Sequence, residues 1–539
     1  MLVGPGGVGK SSLLHGLMNL PLPPANSTQL ADLLTVKPQQ IWARATDDEK
    51  PWVKVTENDE INELVGLVLL VANVANGLTE SSRFRQFMQG AAAYVASRLH
   101  STNQSIGADY RQQISSVKNE VVREVFSRAI ELANKNPHAQ APESEVMMHV
   151  WDCGGQLVYL DILSAFLTPK TLFMLLYDAR KDLNDRCISL SHQDGRVTQT
   201  QKQNISYLEM ILQWMASIHV TLTDNTSGRI PDYPRIIPIG IHGDDQQVRE
   251  HKYDIKKKVS AEYENKAFAH LISEGFIVNN KSTGLGDNED PMFKEIRKEV
   301  HHFTSQSSIT IATPIAWVLF RKVMQKVAIK QPVLTYDEAL EVAISCSIPP
   351  STVKSVLKFY HDVAVFLYYD KIPSLKDFVI ASPQWLVEQL AKLLALEGFE
   401  QVRKPALWKP LREKGILVEP LYREVWKGNG LPEKSIMDLL EKCLLAAPID
   451  TKHKVHRFPG VEHFVPSALP LCTDDQLDIS PSHKVKETSL HLLFSTGYVP
   501  PGYLTRLARA LSKENECYIS FSHGIYRNRF TFLLSLILI

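Results

Sequence analysis

Eight residues near the amino end, Gly4-Pro5-Gly6-Gly7-Val8-Gly9-Lys10-Ser11, carry the GxxxxGK[ST] spacing in full. The chemistry of that spacing is the capture of a polyphosphate. Glycine lets the main chain turn its N–H groups inward as a concave nest for an anion. The helix predicted over Ser11–Leu20 starts where the loop ends, so the positive end of its dipole faces the same anion. The expected cradle is Gly4, Gly6, Gly7, Val8, Gly9, Lys10, Ser11 and Ser12. Lys10 is placed to reach the β- and γ-phosphates, and the Ser11 hydroxyl to bind Mg2+. The preceding Met1-Leu2-Val3 reads as the end of a strand that needs about two or three more residues upstream, so the chain is expected to be a fragment.

A second constellation lies far along the chain. Val146-Met147-Met148-His149-Val150-Trp151-Asp152 is a mostly apolar run ending in an acid, the form of a strand that delivers a carboxylate to a metal. Asp152 is expected to hold Mg2+ through water. Gly155 follows at the DxxG spacing, where its N–H can bond a γ-phosphate, and Gln156 comes next. A glutamine is a poor base, so its role would be to position the attacking water. Lys10 and Gln156 are the catalytic candidates. A threonine from the loop after the first helix should complete the magnesium shell. Thr28 is the natural candidate, with Thr35 and Thr46 as competitors.

The third piece is Ile237-Pro238-Ile239-Gly240-Ile241-His242-Gly243-Asp244-Asp245, an apolar strand running into a polar loop. GTPases carry [NT][KH]xD at this place. Its aspartate accepts two N–H bonds from guanine, which adenine cannot supply, and an unpaired buried carboxylate makes the selectivity large. Here His242 would lie along the base and Asp244 would read it. Ile241 stands where asparagine or threonine is usual, and Asp245 is a rival in a shifted register. Asn279-Asn280-Lys281, after the next strand, can pass behind the base as a fifth motif.

These loops need a scaffold that brings them to one edge. Over the first 305 residues, short apolar runs alternate with amphipathic stretches: strands at Met147–Trp151, Leu172–Tyr177, Ile236–Ile241 and Phe276–Val278, and helices at Ile205–Ile218, Tyr253–Ile272 and Pro291–Phe303. That alternation predicts an α/β fold with a parallel sheet covered by helices on both faces. Residues 21–145 break the rhythm. They read as a mainly helical insertion, with helices around Glu60–Leu70, Arg83–Leu99 and Tyr110–Ala133. After about residue 305 the pattern becomes helix (Tyr336–Ser345), helix (Ser351–His361), β-pair (Ala364–Tyr369 with Phe378–Ala381) and helix (Pro383–Leu396), a winged-helix-like order. Beyond residue 450, strands at His463–Pro466, Ser489–Phe494, Glu516–Phe521 and Arg527–Leu534 surround a helix at Gly502–Ser512.

The composition is that of a globular chain of about three domains: 539 residues, 44% apolar and 22% charged. Fifty-nine basic residues balance fifty-nine acidic ones, which excludes a broad attraction to nucleic acid or anionic lipid. Six scattered cysteines without CxxC give no zinc spacing and fit a reducing, cytoplasmic compartment. The apolar stretch Leu64–Ala72 is too short to span a bilayer, so no stable membrane insertion is expected. Cys153, Trp385, His301-His302 and Lys256-Lys257-Lys258 read as ordinary packing or solvated surface.

The P-loop, the DCGGQ sequence at 152–156 and the histidine-type base motif, followed by a distinct carboxyl-terminal module, resemble the Roco family. There a Ras-like Roc GTPase domain precedes a COR (C-terminal of Roc) domain. The COR likeness rests on Val356–Asp362, Phe378–Leu386 (with Ser382-Pro383-Gln384-Trp385-Leu386), Phe464–Ser467 and Phe494–Gly502. The resemblance implies a P-loop domain over 1–305, a winged-helix-like COR first half over 306–448 and a second half over 449–539, expected to be truncated. It also implies a GTP/GDP switch that hydrolyses GTP slowly with Mg2+. COR would relay nucleotide state to a homodimer or to neighbouring signalling domains. Two other readings stay open: a nucleotide-binding scaffold without significant hydrolysis, and a P-loop signalling ATPase in which Asp244 is silent.

Overall fold

A computed structural model describes residues 1–23, 31–38, 51–55, 65, 108–135, 148–155, 171–193, 196–222, 234–284, 288–304, 313–394, 405–432, 434–443, 445–449, 458–469, 503, 507, 517–520 and 531–534. The expected helices at Glu60–Leu70 and Arg83–Leu99 and the strand at Ser489–Phe494 lie essentially outside these residues.

In chain order the first elements are β1 (Leu2–Val3), α1 (Lys10–Leu17), β2 (Ala31–Pro38), β3 (Trp52–Lys54), α2 (Ala108–Lys135), β4 (Met148–Cys153), β5 (Leu172–Asp178), β6 (Arg186–Gln193), β7 (Arg196–Ser206), α3 (Tyr207–Leu222), β8 (Arg235–Ile241), α4 (Gln246–Glu250), α5 (Lys252–Tyr263), β9 (Phe276–Ile277) and α6 (Pro291–Thr304). A seven-stranded sheet has the order β3-β2-β4-β1-β5-β8-β9. Strands β4, β1, β5, β8 and β9 run parallel, with Leu2 opposite Asp152 and Met174, and Asp178 opposite Ile241. β5 and β8 are buried along almost their whole length, which is why they are apolar at consecutive positions and do not alternate. β3 pairs antiparallel with β2 at one edge.

The expected strands and helices are largely present, with shifted ends. Helix α3 begins at Tyr207, not Ile205, because Ser206 and Glu209 close a reciprocal cap: Glu209 N–H donates to Ser206 Oγ (3.1 Å) and Ser206 N–H to Glu209 Oε2 (2.7 Å). The single helix expected over Tyr253–Ile272 is two pieces, α5 and a short 3-10 turn at Ala269–Leu271. A two-stranded ribbon, β6–β7, stands between β5 and α3. Its residues alternate weakly and are mostly polar, so no apolar period announced it.

By chain contacts the molecule divides into two units, one of Met1–Asp32, Trp151–Ile296 and Val387–Ile539, the other of Leu33–Val150 and Arg297–Leu386. The second unit holds α2 and the elements α7 (Ile315–Ala328), β10 (Val333–Thr335), α8 (Tyr336–Ser345), α9 (Val353–Asp362) and β11 (Phe378–Ile380), with the start of α10 (Pro383–Leu394). Its core gathers Phe320, Val323, Leu334, Val342, Leu357 and Phe366 around Ile114 of α2. In α2 the buried positions Ile114, Lys118, Val121 and Val125 fall on one stripe with coiled-coil spacing. Lys118 sits in that stripe because its ammonium donates to Ser345 O (2.9 Å) at the carboxyl end of α8, where a cation suits the dipole. The expected β-pair is corrected here. β11 pairs with β10, and Leu367 meets Ile380 only in an isolated bridge. Ala364 adopts a positive φ of 55°, which turns the chain out of an extended path at the start of that segment.

Within the first unit, α11 (Pro405–Lys414), β12 (Ile416–Val418), α12 (Glu419–Val425), α13 (Ser435–Lys442), β13 (Ala447–Pro448) and β14 (Glu462–Phe464) follow. The three strands form a sheet ordered β12-β14-β13, and a last antiparallel pair joins β15 (Cys517–Ser520) to β16 (Thr531–Leu534). Trp426 is buried, and its indole N–H donates to Gln389 O at 2.9 Å, satisfying its one polar atom.

Candidate functional site

Five parallel strands deliver their following loops to one edge of the sheet, the place where open α/β sheets bind ligands. The loop after β1 turns on three glycines with positive φ: Gly4 (138°), Gly7 (75°) and Gly9 (98°). Gly4 leaves no room for a side chain, since a Cβ there would stand 2.5 Å from Leu176 O of β5. Gly9 caps α1, so the amides of Lys10, Ser11 and Ser12 occupy the first helical turn with no side-chain cap on them. Gly16 lets α1 approach α6, where a Cβ would meet the Phe293 ring at 2.1 Å. Val8, within the same loop, is buried. Lys10 Nζ donates to Gly4 O (3.1 Å) and Pro5 O (2.8 Å), holding its ammonium inside the loop's own curve. Burial brings its pKa down to about 8, against the pull of Asp152.

Asp152 ends the inner part of β4, and its Oδ2 accepts a 2.5 Å hydrogen bond from Ser11 Oγ. Its Oδ1 is buried with no hydrogen-bond partner. Burial raises the Asp152 pKa, opposed by the Ser11 bond and the Lys10 charge. A hydroxyl beside an orphaned carboxylate oxygen is a fitting pair of hard oxygen donors for Mg2+, which takes only one or two protein ligands when phosphates supply the rest. Among the described residues no group of three His, Cys, Asp or Glu side chains is assembled for a metal. Gly155 packs directly on the loop, a Cβ there falling 2.1 Å from Gly6 N. Gln156 and Thr28 lie outside the described residues, as does Thr46. Thr35 sits in β2 with its hydroxyl 3.0 Å from His149 Nδ1. Burial pushes the Cys153 thiol up to about 12, which fits a packing residue.

On the other flank, the loop after β8 carries His242 at a positive φ of 65°. Its N–H donates to Asn280 Oδ1 (3.3 Å), and Gly243 N–H donates to Val278 O (2.9 Å), so the fourth and fifth loops are tied together. Asn280 is buried, and its Nδ2 lies 3.0 Å from where a Gly9 Cβ would be; Ile241 Cδ1 approaches the same point to 3.4 Å. The loops after β8 and β9 thus abut the loop of residues 4–11. The two candidate aspartates separate cleanly. Asp245 caps α4, accepting from the amides of Gln247 (3.0 Å) and Val248 (3.4 Å). Asp244 faces Lys281, whose Nζ donates to Oδ2 at 2.7 Å, and its Oδ1 is buried without a partner. Burial pushes the Asp244 pKa up, but the Lys281 bond and neighbouring charges outweigh it and hold the pKa low. Asn279 braces the fifth loop: its N–H donates to Asp290 Oδ2 (2.7 Å) and its Oδ1 accepts from Lys281 N–H (3.0 Å).

Sequence reasoning passed over Asp178 and Arg180. Asp178 ends β5 and is gripped by Arg180 through Nε (3.0 Å) and Nη2 (2.8 Å), while His242 Nε2 lies 4.0 Å from its Oδ2. Burial lowers the His242 pKa, and Asp178 opposes it. The signal was available: Leu172–Asp178, like the run before Asp152, is an apolar strand ending in an acid.

Residues 314–458 match the family model of the COR-A domain, described as C-terminal of Roc. Probable serine/threonine-protein kinase pats1 of Dictyostelium discoideum is 22% identical over 397 residues, 70% of this chain and 10% of the relative. Probable serine/threonine-protein kinase roco5 of the same organism is 21% identical over 359 residues, 65% of this chain and 11% of the relative. Over these residues the chain is similar to Roco proteins and to their COR-A domain. It spans about a tenth of the length of these Roco relatives. A solved structure of Methanosarcina barkeri Roco2 RocCORdC bound to GDP is 17% identical, covering 61% of this chain and 81% of its own, at a TM-score of 0.39. The COR-A match spans α7 to β13, from just before Ile315 to beyond Pro448. Among the described residues no helix is long and apolar enough to cross a membrane.

Proposed function

We propose that this chain is a guanine-nucleotide switch that hydrolyses GTP slowly with Mg2+, its nucleotide state relayed through the COR region to dimerisation or neighbouring signalling domains. One observation carries the reading. The loop of residues 4–11 is met on one flank by Asp152, through Ser11, and on the other by Asn280 and the Asp244 loop. A nucleotide whose phosphates fill the loop would have its base between His242 and Asn280 and its base edge at Asp244.

The roles read as follows. The loop amides and Lys10 hold the phosphates and stabilise negative charge that builds up during hydrolysis. Ser11 and Asp152 would hold the metal, Asp152 through water. Mg2+, when bound, neutralises charge on the β- and γ-phosphate oxygens. By the DxxG spacing the Gly155 N–H would bond the γ-phosphate and Gln156 would position the water, and Thr28 would complete the metal shell. Asp244, with a free buried oxygen, reads guanine. Asp245 is committed to capping a helix, which supports Asp244 as the reader. A second reading, a nucleotide-binding scaffold with little turnover, draws on Ile241: it is fully buried against Gly9 where a polar tie is usual.

Calorimetric titration with GDP, GTP and ATP tests the binding. Saturable heat with both guanine nucleotides and none with ATP is expected; ATP binding equal to GTP would favour an ATPase. Phosphate release above that of Lys10→Ala and Gln156→Leu separates switch from scaffold. The solution mass with GDP and with a non-hydrolysable GTP analogue tests the relay, and identical oligomers would count against it.

A further inference from the structure

The Lys281–Asp244 bridge stands at the mouth of the base site and is not needed to build either loop. Both loops are already fixed by other bonds, Gly243 N–H to Val278 O (2.9 Å), His242 N–H to Asn280 Oδ1 (3.3 Å) and Asn279 N–H to Asp290 Oδ2 (2.7 Å). Lys281 itself is anchored at its backbone, its N–H donating to Asn279 Oδ1 (3.0 Å). Its side chain is 58% exposed, so the ammonium reaches Asp244 from the solvent side.

The two Asp244 oxygens are differently occupied. Oδ2 takes the Lys281 ammonium and Oδ1, buried, takes nothing. A carboxylate oxygen has two lone pairs, so Oδ2 can accept a further donor without releasing the first. The paired N–H groups of a guanine edge match Oδ1 and the second lone pair of Oδ2. We propose that Lys281 is a positioning residue that acts as a retention strap: by holding Oδ2 from outside it fixes the Asp244 carboxylate in the plane of the base edge and slows release of a guanine nucleotide. The inference rests on Asp244 being the base reader and adds what sets the residence time at that site. An exposed ammonium is screened by salt, so the strap should loosen as ionic strength rises.

The full chain, loaded with fluorescent GDP and chased with excess unlabelled GDP, gives the release rate; stopped-flow mixing gives association. Lys281→Met should release about fivefold faster with association little changed, the size of a half-exposed charged contact. Lys281→Arg should restore slow release, and wild-type release should accelerate with salt more steeply than that of Lys281→Met. Unchanged release in Lys281→Met, or no rescue by arginine, overturns the strap. Slower release would make Lys281 a competitor for Asp244, which also overturns it. A wild-type chain that takes up no labelled GDP defeats the underlying nucleotide reading, a result distinct from one in which GDP binds and its release ignores Lys281.

Discussion

Ser11 Oγ donates to Asp152 Oδ2 at 2.5 Å across 141 positions of sequence. Ser11 lies in the first turn of α1 and Asp152 one residue before the end of β4, so the bond needs β1 and β4 to be neighbours in register. They are, with Leu2 opposite Asp152. The bond uses one carboxylate oxygen and leaves the other buried and unpaired, a cost of about 1–3 kcal/mol that a cation would remove.

Asp152→Ala should therefore remove the magnesium dependence of nucleotide binding. In the wild type, chelating Mg2+ should weaken GDP binding. In the variant, affinity should be lower by about tenfold, equivalent to about 1.4 kcal/mol, and insensitive to the chelator. Calorimetry with and without Mg2+ checks both. A variant that keeps its full response to Mg2+ would remove Asp152 from the metal site.

The two neighbouring aspartates should part company under mutation. Asp244→Ala should reduce GDP affinity by roughly two orders of magnitude, about 2–3 kcal/mol, and abolish preference over ATP. Asp245→Ala should leave affinity nearly unchanged and lower stability by about 1 kcal/mol, the value of a helix cap. Titration calorimetry and urea unfolding on both variants separate the roles. The opposite pattern would restore the shifted register.

Much of the candidate site was legible because a phosphate-binding loop would constrain local sequence. Gly4 to Ser11 and Val146 to Asp152 announce themselves without neighbours. The existence of β4, β5 and β8 also follows from their apolar runs, but their order in the sheet does not. What stayed hidden depends on tertiary partners. Nothing in Asp244-Asp245 says which acid turns back to cap a helix, since that is decided by where α4 starts. Asp178 and Arg180 gain meaning only when β8 places His242 alongside. β11 pairs with β10 and meets Ala364–Tyr369 only at Leu367, beyond the positive φ of Ala364, which no alternation pattern encodes. The β6–β7 ribbon is mostly polar and its alternation is too weak to mark a strand pair.

Gly4→Ala should unfold the phosphate loop from the sheet. A Cβ at Gly4 would stand 2.5 Å from Leu176 O, a backbone atom of a central strand that has no freedom to retreat, and φ is 138°. Strain and clash together should cost more than about 2 kcal/mol. The thermal midpoint should fall by several degrees and GDP binding should disappear with it. Gly428→Ala is the control: it also has a positive φ, 68°, but nothing lies within 4 Å of its Cβ position, so only the smaller conformational strain applies.

The acid limb of stability should run through His149. Its Nδ1 meets Thr35 Oγ1 at 3.0 Å, and burial, helped by the nearby Arg321 charge, lowers its pKa from 6.5 to about 4. A group whose folded pKa is depressed stabilises the fold fully above its unfolded value. Below that value the unfolded chain binds a proton that the folded chain refuses, so stability falls with pH. The loss should begin near pH 6.5 and be complete near about 4. His219, His242 and His361 are shifted the same way by burial, so the wild-type slope alone is a sum. His149→Gln keeps a polar tip for Thr35 and removes the titration. Urea midpoints taken across this pH range should fall less steeply in the variant than in the wild type. Parallel slopes would show that His149 takes up its proton as readily in the folded chain as in the unfolded one.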